Sequence, residues 1–379
     1  MDPTLRLLRD LVAIDSVNPS LVAGGAGEAQ VAQAIAHALK GGGLDVEVTD
    51  VLPGRPNVVG VLEGRAPGPA LMFCGHTDTV GVAGMKAPFD PIVRDGRLYG
   101  RGAQDMKGGV AAMIGAALHL AAAGQPRAGR LIVAAVIDEE HASAGAEALV
   151  ATWRADAAVV TEPTELSIAV GHKGFAWLDI ETRGRAAHGS RPHDGRDAIL
   201  RMGRVLGRLE RLDRELQARA PHALLGTGSL HASLISGGRE LSSYPDVCAL
   251  QMERRTLPGE TPAQVFDEVQ RILGELRRED PDFDASASLT FSRHPYELAP
   301  NHDLTRRLNR AVSSCGLTSA ITGMTFWTDA AILGEAGIAS VLFGPSGAGL
   351  HSTEEYVLVD DVLKCRDALL ALARDYCAG

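Results

Sequence analysis

Over the first 172 residues, short apolar runs rich in Val, Ile and Leu alternate with stretches whose apolar positions recur every three or four residues. The runs are VEVTDV, NVVGVLEG, ALMFCG, LIVAAVI, AAVVTE and LSIAVGH, and they predict strands. Between them fall GEAQVAQAIAHALKGGG, a helix that stops at Gly41 to Gly43, and MKGGVAAMIGAALHLAAAG, a helix apolar nearly all round. Strands that are continuously apolar rather than alternating are buried on both faces. The pattern therefore predicts an α/β domain with a mixed sheet covered by helices.

From Lys173 the texture changes. GFAWLDIETRGR alternates apolar and polar positions, DGRDAILRMGRVLGRLERLDRELQAR is helical, GSLHASLISGG and DVCALQMERRTL are strands, TPAQVFDEVQRILGELRRE is a helix, and FDASASLTFS is a last strand. The order β-α-β-β-α-β is that of a ferredoxin-like sandwich, predicted here as a separate domain over 173–292. The many arginines of its first helix are interleaved with Glu210, Asp213 and Glu215, the mark of a solvated amphipathic face rather than a phosphate site. After it the α/β texture returns in HDLTRRLNRAVSSCG, IASVLFG and DVLKCRDALLALARDY. Residues 1–172 and 293–379 are thus expected to form one domain with the smaller one inserted.

Composition narrows the partners. The 379 residues carry a formal net charge of −10, which speaks against a nucleic-acid partner, since that calls for a basic face. No run of 18 apolar residues occurs, so no membrane span is expected. MDPTLRLLRDLVAIDS reads as an amphipathic helix capped by Asp2 rather than a secretory signal. The five cysteines (Cys74, Cys248, Cys315, Cys365, Cys377) are scattered, with no CxxC pair, as suits reduced thiols in a cytoplasm.

Chemistry gathers where apolar runs end. ALMFCG runs into His76, Thr77 and Asp78, LIVAAVID into Glu139 and Glu140, AAVVT into Glu162, and SVLFGPSGAG is followed by His351. Ligands of α/β sheets bind beyond the carboxyl ends of the strands, so these endings predict one convergent site. Asp105, in the glycine-rich LYGRGAQDMKGG, is a fifth contributor. Carboxylates gathered at the end of a hydrophobic sheet cannot all stay ionised without cations. Two imidazoles with several carboxylates suit zinc, or cobalt and manganese in its place, better than calcium or magnesium. The number of ligands suggests two ions sharing a bridging carboxylate. His141, His172, His193, His222 and His231 are given ordinary structural roles.

GHTDTV (75–80), GRGAQDMKGG (100–109), IDEEHASAG (137–145), TEPT (161–164), GRAAHGSRPHDGRDAI (184–199), ERRTLPGE (253–260) and FGPSGAGLHSTEEYV (343–357) together resemble a family of dinuclear-zinc amidohydrolases and metallopeptidases. It includes acetylornithine deacetylase, succinyl-diaminopimelate desuccinylase, aminoacylase and glutamate carboxypeptidase, and the resemblance extends over nearly the whole chain. It implies a zinc-exopeptidase-like catalytic domain with an inserted lid or dimerisation domain and a homodimer. Asp105 would bridge two zinc ions, completed by His76 and Glu162 on one side and by Glu140 and His351 on the other. Asp78 would orient His76, and Glu139 would be the general base for a metal-activated water. The resemblance further implies that the Asp105–Met106 bond is cis, that His188 stabilises an oxyanion from its own or a partner subunit, and that Arg255 is a candidate for a substrate carboxylate. Ser242 and Glu253 depart from the family at substrate-side positions, where asparagine and aspartate are usual. GMTFWTDAAIL lacks the GTSDGRF-like sequence of bacterial desuccinylases.

The expected activity is hydrolysis of the amide of an N-acyl amino acid, as by acetylornithine deacetylase. Carboxypeptidase, dipeptidase or desuccinylase-like activity is the alternative, and a non-catalytic metal- or ligand-binding relative is the alternative of another class. A serine hydrolase is not supported, because the G-x-S-x-G motif fails at Ala348. Nor is dinucleotide binding, because GRGAQDMKGG does not complete G-x-G-x-x-G.

Overall fold

The structure, a computed structural model, describes residues 1–378. Chain contacts divide these into two units: Met1–Val170 with Leu298–Thr322 and residues 328–378, and Gly171–Glu297 with Gly323–Trp327. The short return of Gly323–Trp327 to the second unit has no counterpart in the hydrophobic pattern.

In the first unit the apolar runs become a mixed sheet. Its strands lie in the order Asp45–Leu52, Arg55–Glu63, Arg130–Val136, Ala70–His76, Ala157–Val160, Ala339–Leu342 and Ile168–His172. The four from Arg130–Val136 to Ala339–Leu342 are mutually parallel, and the others join antiparallel. Ala70–His76 is buried along its whole length, and so is Arg130–Val136 beyond its first residue, as central strands covered on both faces must be. Helix Gly108–Ala122, buried on nearly every side, packs against strands Ala70–His76 and Arg130–Val136 and against helices Pro3–Val12 and Val359–Tyr376. Pro3–Val12 begins where the Asp2 side chain accepts a hydrogen bond from the Thr4 amide at 2.7 Å.

The second unit has the order expected of a ferredoxin-like fold. An antiparallel sheet runs Ser229–Gly237, Val247–Thr256, Gly174–Arg183, Asp284–Arg293, with helices Ala198–Gln217 and Pro262–Glu279. Strand Gly174–Arg183 buries alternate residues, so Ala176, Leu178 and Ile180 meet Met202, Val205 and Leu209 of one helix and Val269 and Leu273 of the other in one core. Asp197 and Thr261 cap the two helices, the latter in a capping box with Gln264.

Gly109, in the first turn of the central helix, shows how tightly the first unit is packed. A Cβ built there would lie 1.9 Å from the carbonyl oxygen of Thr161. Alanine gains about 1 kcal/mol over glycine in a helix interior, but overpacking a closed core costs about 1–3 kcal/mol. Gly109→Ala should therefore lower stability, as read by chemical denaturation; an increase would show that the helix can move away from the sheet.

Candidate metal centre

Strand register brings the site together. In the parallel pairing His76 lies opposite Val136, and Cys74 opposite Val160, so the residues following these strands emerge at one edge. His76 is the last residue of its strand and is buried. After Ile137 the chain turns through Asp138, whose φ of 68° is in the left-handed region and whose carbonyl accepts the amides of Ala142 and Ser143. That turn sets Glu139 and Glu140 at the sheet edge. Glu162 follows Ala157–Val160 by two residues.

Asp105 arrives from a loop rather than a strand end. Gly102, with φ of 76°, leads into a kinked turn over Ala103–Lys107 in which Asp105 and Met106 leave helical geometry, and the Asp105–Met106 peptide bond is cis. The buried carboxylate of Glu355 accepts the amides of Gly102 (3.0 Å), Gln104 (2.9 Å) and Asp105 (3.1 Å) and the Arg101 guanidinium (2.7 Å). Arg101 also donates to the carbonyl of Ser352 at 2.9 Å, which ties the segment carrying His351 to the loop carrying Asp105.

Six side chains converge on one another. Asp105 presents Oδ1 to His76 Nε2 at 3.1 Å and Oδ2 to His351 Nε2 at 3.3 Å. Glu162 lies 3.9 Å from His76 Nε2, and Glu140 lies 3.1 Å from His351 Nε2. Ligand atoms of His76, Glu139 and Glu162 all fall within 4.8 Å of one another, as do those of His76, Asp105 and Glu140. Behind His76, Nδ1 faces the backbone carbonyl of Asp78 at 3.0 Å and Asp78 Oδ1 at 3.6 Å. Asp78 in turn accepts the amides of Glu139 and Glu140, each at 3.2 Å.

The electrostatics follow from crowding under burial. Burial pushes the carboxyls of Glu139 and Glu162 well above their ordinary range. It also raises Glu140, with the Asp105 charge adding to the effect, to about 7. Burial opposes the charge of His76, but hydrogen bonding to Asp105 and Asp78 outweighs it and holds the imidazole well above its usual range. Hydrogen bonds to Asp105 and Glu140 raise His351 to about 10. Asp105 is held below the usual carboxylate range because His351 and His76 outweigh its burial. Protonated histidines thus stand in the place of cations. Glu140 Oε1 is buried with no hydrogen-bond partner, an acceptor left over once the protein's own groups have paired. Mixed imidazole and carboxylate donors with a spare buried acceptor, and an aspartate facing two separate imidazoles, fit two zinc-like cations.

His188, Ser242 and Arg255 belong to the second unit. His188 is exposed, with Nδ1 2.8 Å from Ser190 Oγ, and the carbonyl of Ser242 accepts the Gly189 amide from the neighbouring segment. Arg255 donates through Nε to Glu253 at 2.6 Å and stacks over Phe175. Its guanidinium thus bonds within its own strand and stacks on the neighbouring strand Gly174–Arg183.

Several residues around the centre were not among those predicted for it. Asn18, Arg55 and Asp138 form a buried hydrogen-bonded chain behind Asp78, and Asp138 is thereby a structural acid although it stands beside Glu139 and Glu140. Buried Asp329 adds negative charge near Glu139 and Glu162. Asp138 lies in IDEEHASAG, Asp329 in GMTFWTDAAIL and Glu355 in FGPSGAGLHSTEEYV, but none of these stretches marks them as supports, and Asn18 and Arg55 lie in no motif.

Residues 72–375 match peptidase family M20/M25/M40, and the chain belongs to that family. It is 32% identical over 344 residues to acetylornithine deacetylase of Myxococcus xanthus, covering 86% of this chain and 85% of the relative. It is 29% identical over 372 residues to N-formyl-4-amino-5-aminomethyl-2-methylpyrimidine deformylase of Bacillus subtilis, covering 89% and 86%. The fold is also that of an M20 family metallo-carboxypeptidase from Sulfolobus solfataricus, with a TM-score of 0.81, 17% identity and 100% of each chain covered. The protein is thus an M20 family hydrolase with acetylornithine deacetylase-like relatives. Among the described residues no helix is long and apolar enough to cross a membrane.

The centre makes stability depend on pH in a defined direction. Glu140, raised from 4.5 to about 7, contributes stability that is full below 4.5 and lost as pH rises through 7. His351, raised from 6.5 to about 10, contributes stability that is full below 6.5 and lost as pH rises through 10. Asp105 and Asp78, both depressed, lose their contributions only in acid, below this window. These groups should therefore lower the melting temperature of metal-free protein from pH 5 to 10, by more than buried Lys107 and His172, lowered to about 7 and about 4, offset in the opposite sense. Added zinc should restore more at pH 8 than at pH 6, because ligation needs neutral imidazole. A metal-free melting point that rises across that window would contradict this picture of the centre.

Proposed function

We propose that the chain is a dinuclear zinc-dependent amidohydrolase, with cobalt or manganese as substitutes, that removes the acyl group from a small N-acyl amino acid. The observation that carries this reading is the presentation of the two Asp105 oxygens to two different histidines, each with a glutamate beside it. His76, Asp105 and Glu162 would hold one ion, and Asp105, Glu140 and His351 the other. When bound, the pair supplies the Lewis acidity that attack of water on an unactivated amide needs near neutral pH.

The protein's own groups supply the proton transfers. Glu139 lies beside His76 and Glu162, and burial raises its carboxyl above its ordinary range, which strengthens it as a base. It would accept the proton of the attacking water and deliver it to the departing amine nitrogen. Asp78 would hold the direction of His76, its backbone carbonyl facing Nδ1 at 3.0 Å and its carboxylate, held ionised, lying 3.6 Å from the same nitrogen. His188 is assigned to the developing oxyanion, from its own or a partner subunit, with the enzyme a homodimer. Arg255 and Ser242 are assigned to the substrate's amino-acid end. Deacetylase and deformylase names among the relatives support an acyl-amine substrate. Five free cysteines, four of them buried, support a reducing, cytoplasmic setting.

Zinc- or cobalt-loaded protein, beside a chelated control, is to be assayed on N-acetyl, N-formyl and N-succinyl amino acids and on dipeptides. Metal-dependent release of amine from the N-acyl amino acids is expected. Release from dipeptides alone would replace the deacylase with a peptidase, and no turnover with metal bound would favour a non-catalytic relative. Glu139→Ala should keep metal and lose turnover by several orders of magnitude, the scale on which removal of a proton-transferring group acts; near-normal rates would remove the proposed base. His188→Ala should lower kcat more than it raises KM, whereas an effect confined to KM would make it a substrate-binding residue.

A further inference from the structure

The buried chain behind Asp78 poses an electrostatic problem. Asp78 and Asp138 are both fully or almost fully buried, and each must present its carboxylate near the other. Between them stands one neutral side chain. Asn18 Nδ2 donates to Asp78 Oδ2 at 2.8 Å and to Asp138 Oδ1 at 3.0 Å, using both of its hydrogens on two acids that would otherwise repel. The amide has a fixed sense, because Asn18 Oδ1 accepts the Ser20 amide at 2.9 Å, leaving the nitrogen to face the acids. The Asn18 backbone is itself anchored, donating to the carbonyl of Thr79 at 2.9 Å.

The far end of the chain is clamped by charge. Arg55 donates to Asp138 Oδ1 at 2.9 Å and grips the buried Glu28 with two bonds, Nε to Oε2 at 2.7 Å and Nη2 to Oε1 at 2.6 Å. A forked guanidinium fixes direction as well as charge. Glu28, Arg55, Asp138, Asn18 and Asp78 therefore form one continuous train. It ends on the backbone amides of Glu139 and Glu140, while the ring of His76 faces the backbone carbonyl of Asp78 at 3.0 Å and its carboxylate Oδ1 at 3.6 Å. These positions come from four separate stretches of sequence, so no single local element could set their mutual geometry.

We propose that Asn18 is a positioning residue of the hydrolytic centre: by bridging Asp78 to the Arg55-clamped Asp138, it fixes the orientation of His76 and the placement of Glu139 and Glu140. The inference rests on the metal-hydrolase reading above and adds a residue that touches neither ion nor substrate. Its chemistry requires a neutral double donor. Asn18→Asp preserves shape but sets a third carboxylate against two, and Asn18→Ser leaves one donor for two acceptors. Groups that orient metal ligands from behind are worth about 10–100-fold in metal affinity or activity when removed.

The test is titration of metal-stripped protein with Co2+, followed by its visible absorption, with kcat and KM measured on the cobalt enzyme and melting temperature recorded alongside. Wild type should take up two Co2+. Asn18→Asp should weaken uptake by about 10–100-fold, change the absorption band and lower kcat more than it raises KM, and Asn18→Ser should lie between the two. Should Asn18→Asp not fold, Asn18→Ser decides by the same readouts. Variants with wild-type cobalt affinity and absorption would overturn the assignment, even if less stable, because loss of stability alone does not alter the ligand field of the folded protein. Failure of wild type to take up cobalt would overturn the metal reading itself, and this inference with it, before any substitution is compared.

Discussion

Negative charge buried at the carboxyl edge of an apolar sheet is the constraint on which the rest of the first unit depends. Asp78, Glu139, Glu140, Glu162 and Asp105 converge on the ends of strands whose other residues are hydrophobic, and burial drives three of these carboxyls upward. In the protein alone, His76 and His351 answer that charge by holding protons. The parallel register places the acids together, and the spare acceptor on Glu140 shows that internal pairing does not complete the balance. The proposed pair of divalent cations would.

The supports around the centre share a logic. A buried carboxylate is placed where several backbone amides point at it, so that its position is fixed without competing for the cations. Glu355 does this for the loop that carries Asp105, and Asp78 does it for the turn that carries Glu139 and Glu140. Asp138 joins the same scheme through Asn18 and Arg55. The three consecutive acids that close the strand Arg130–Val136 thus divide into one that holds the turn and two that face the centre.

What could be read in the sequence is what one-dimensional periodicity encodes. LIVAAVI and ALMFCG are apolar without alternation because both faces of those strands are covered, and GFAWLDIETR alternates because one face of its sheet meets helices. His76, Glu139, Glu140 and Glu162 were legible because they break apolar runs. The short strands Ile92–Arg94, Arg97–Tyr99 and Tyr356–Leu358 were not, since three residues are too few to show a period; they are held by pairing, by burial of Leu98 and Val357, and by Arg94 and Arg97 stacked over Tyr99 and Tyr356. Asn18 was silent because its contacts lie 60 and 120 residues away, and the bond from Arg255 Nε to Glu253, two residues back on the same strand, shows only once the chain is folded.

The central claim is that this crowded edge is a two-cation site bridged by Asp105. Anomalous diffraction at the zinc edge, from crystals grown with zinc, tests it most directly. The account predicts two peaks roughly 3.5–4 Å apart, one on each side of the Asp105 carboxylate. A single peak, or peaks away from His76 and His351, would contradict it.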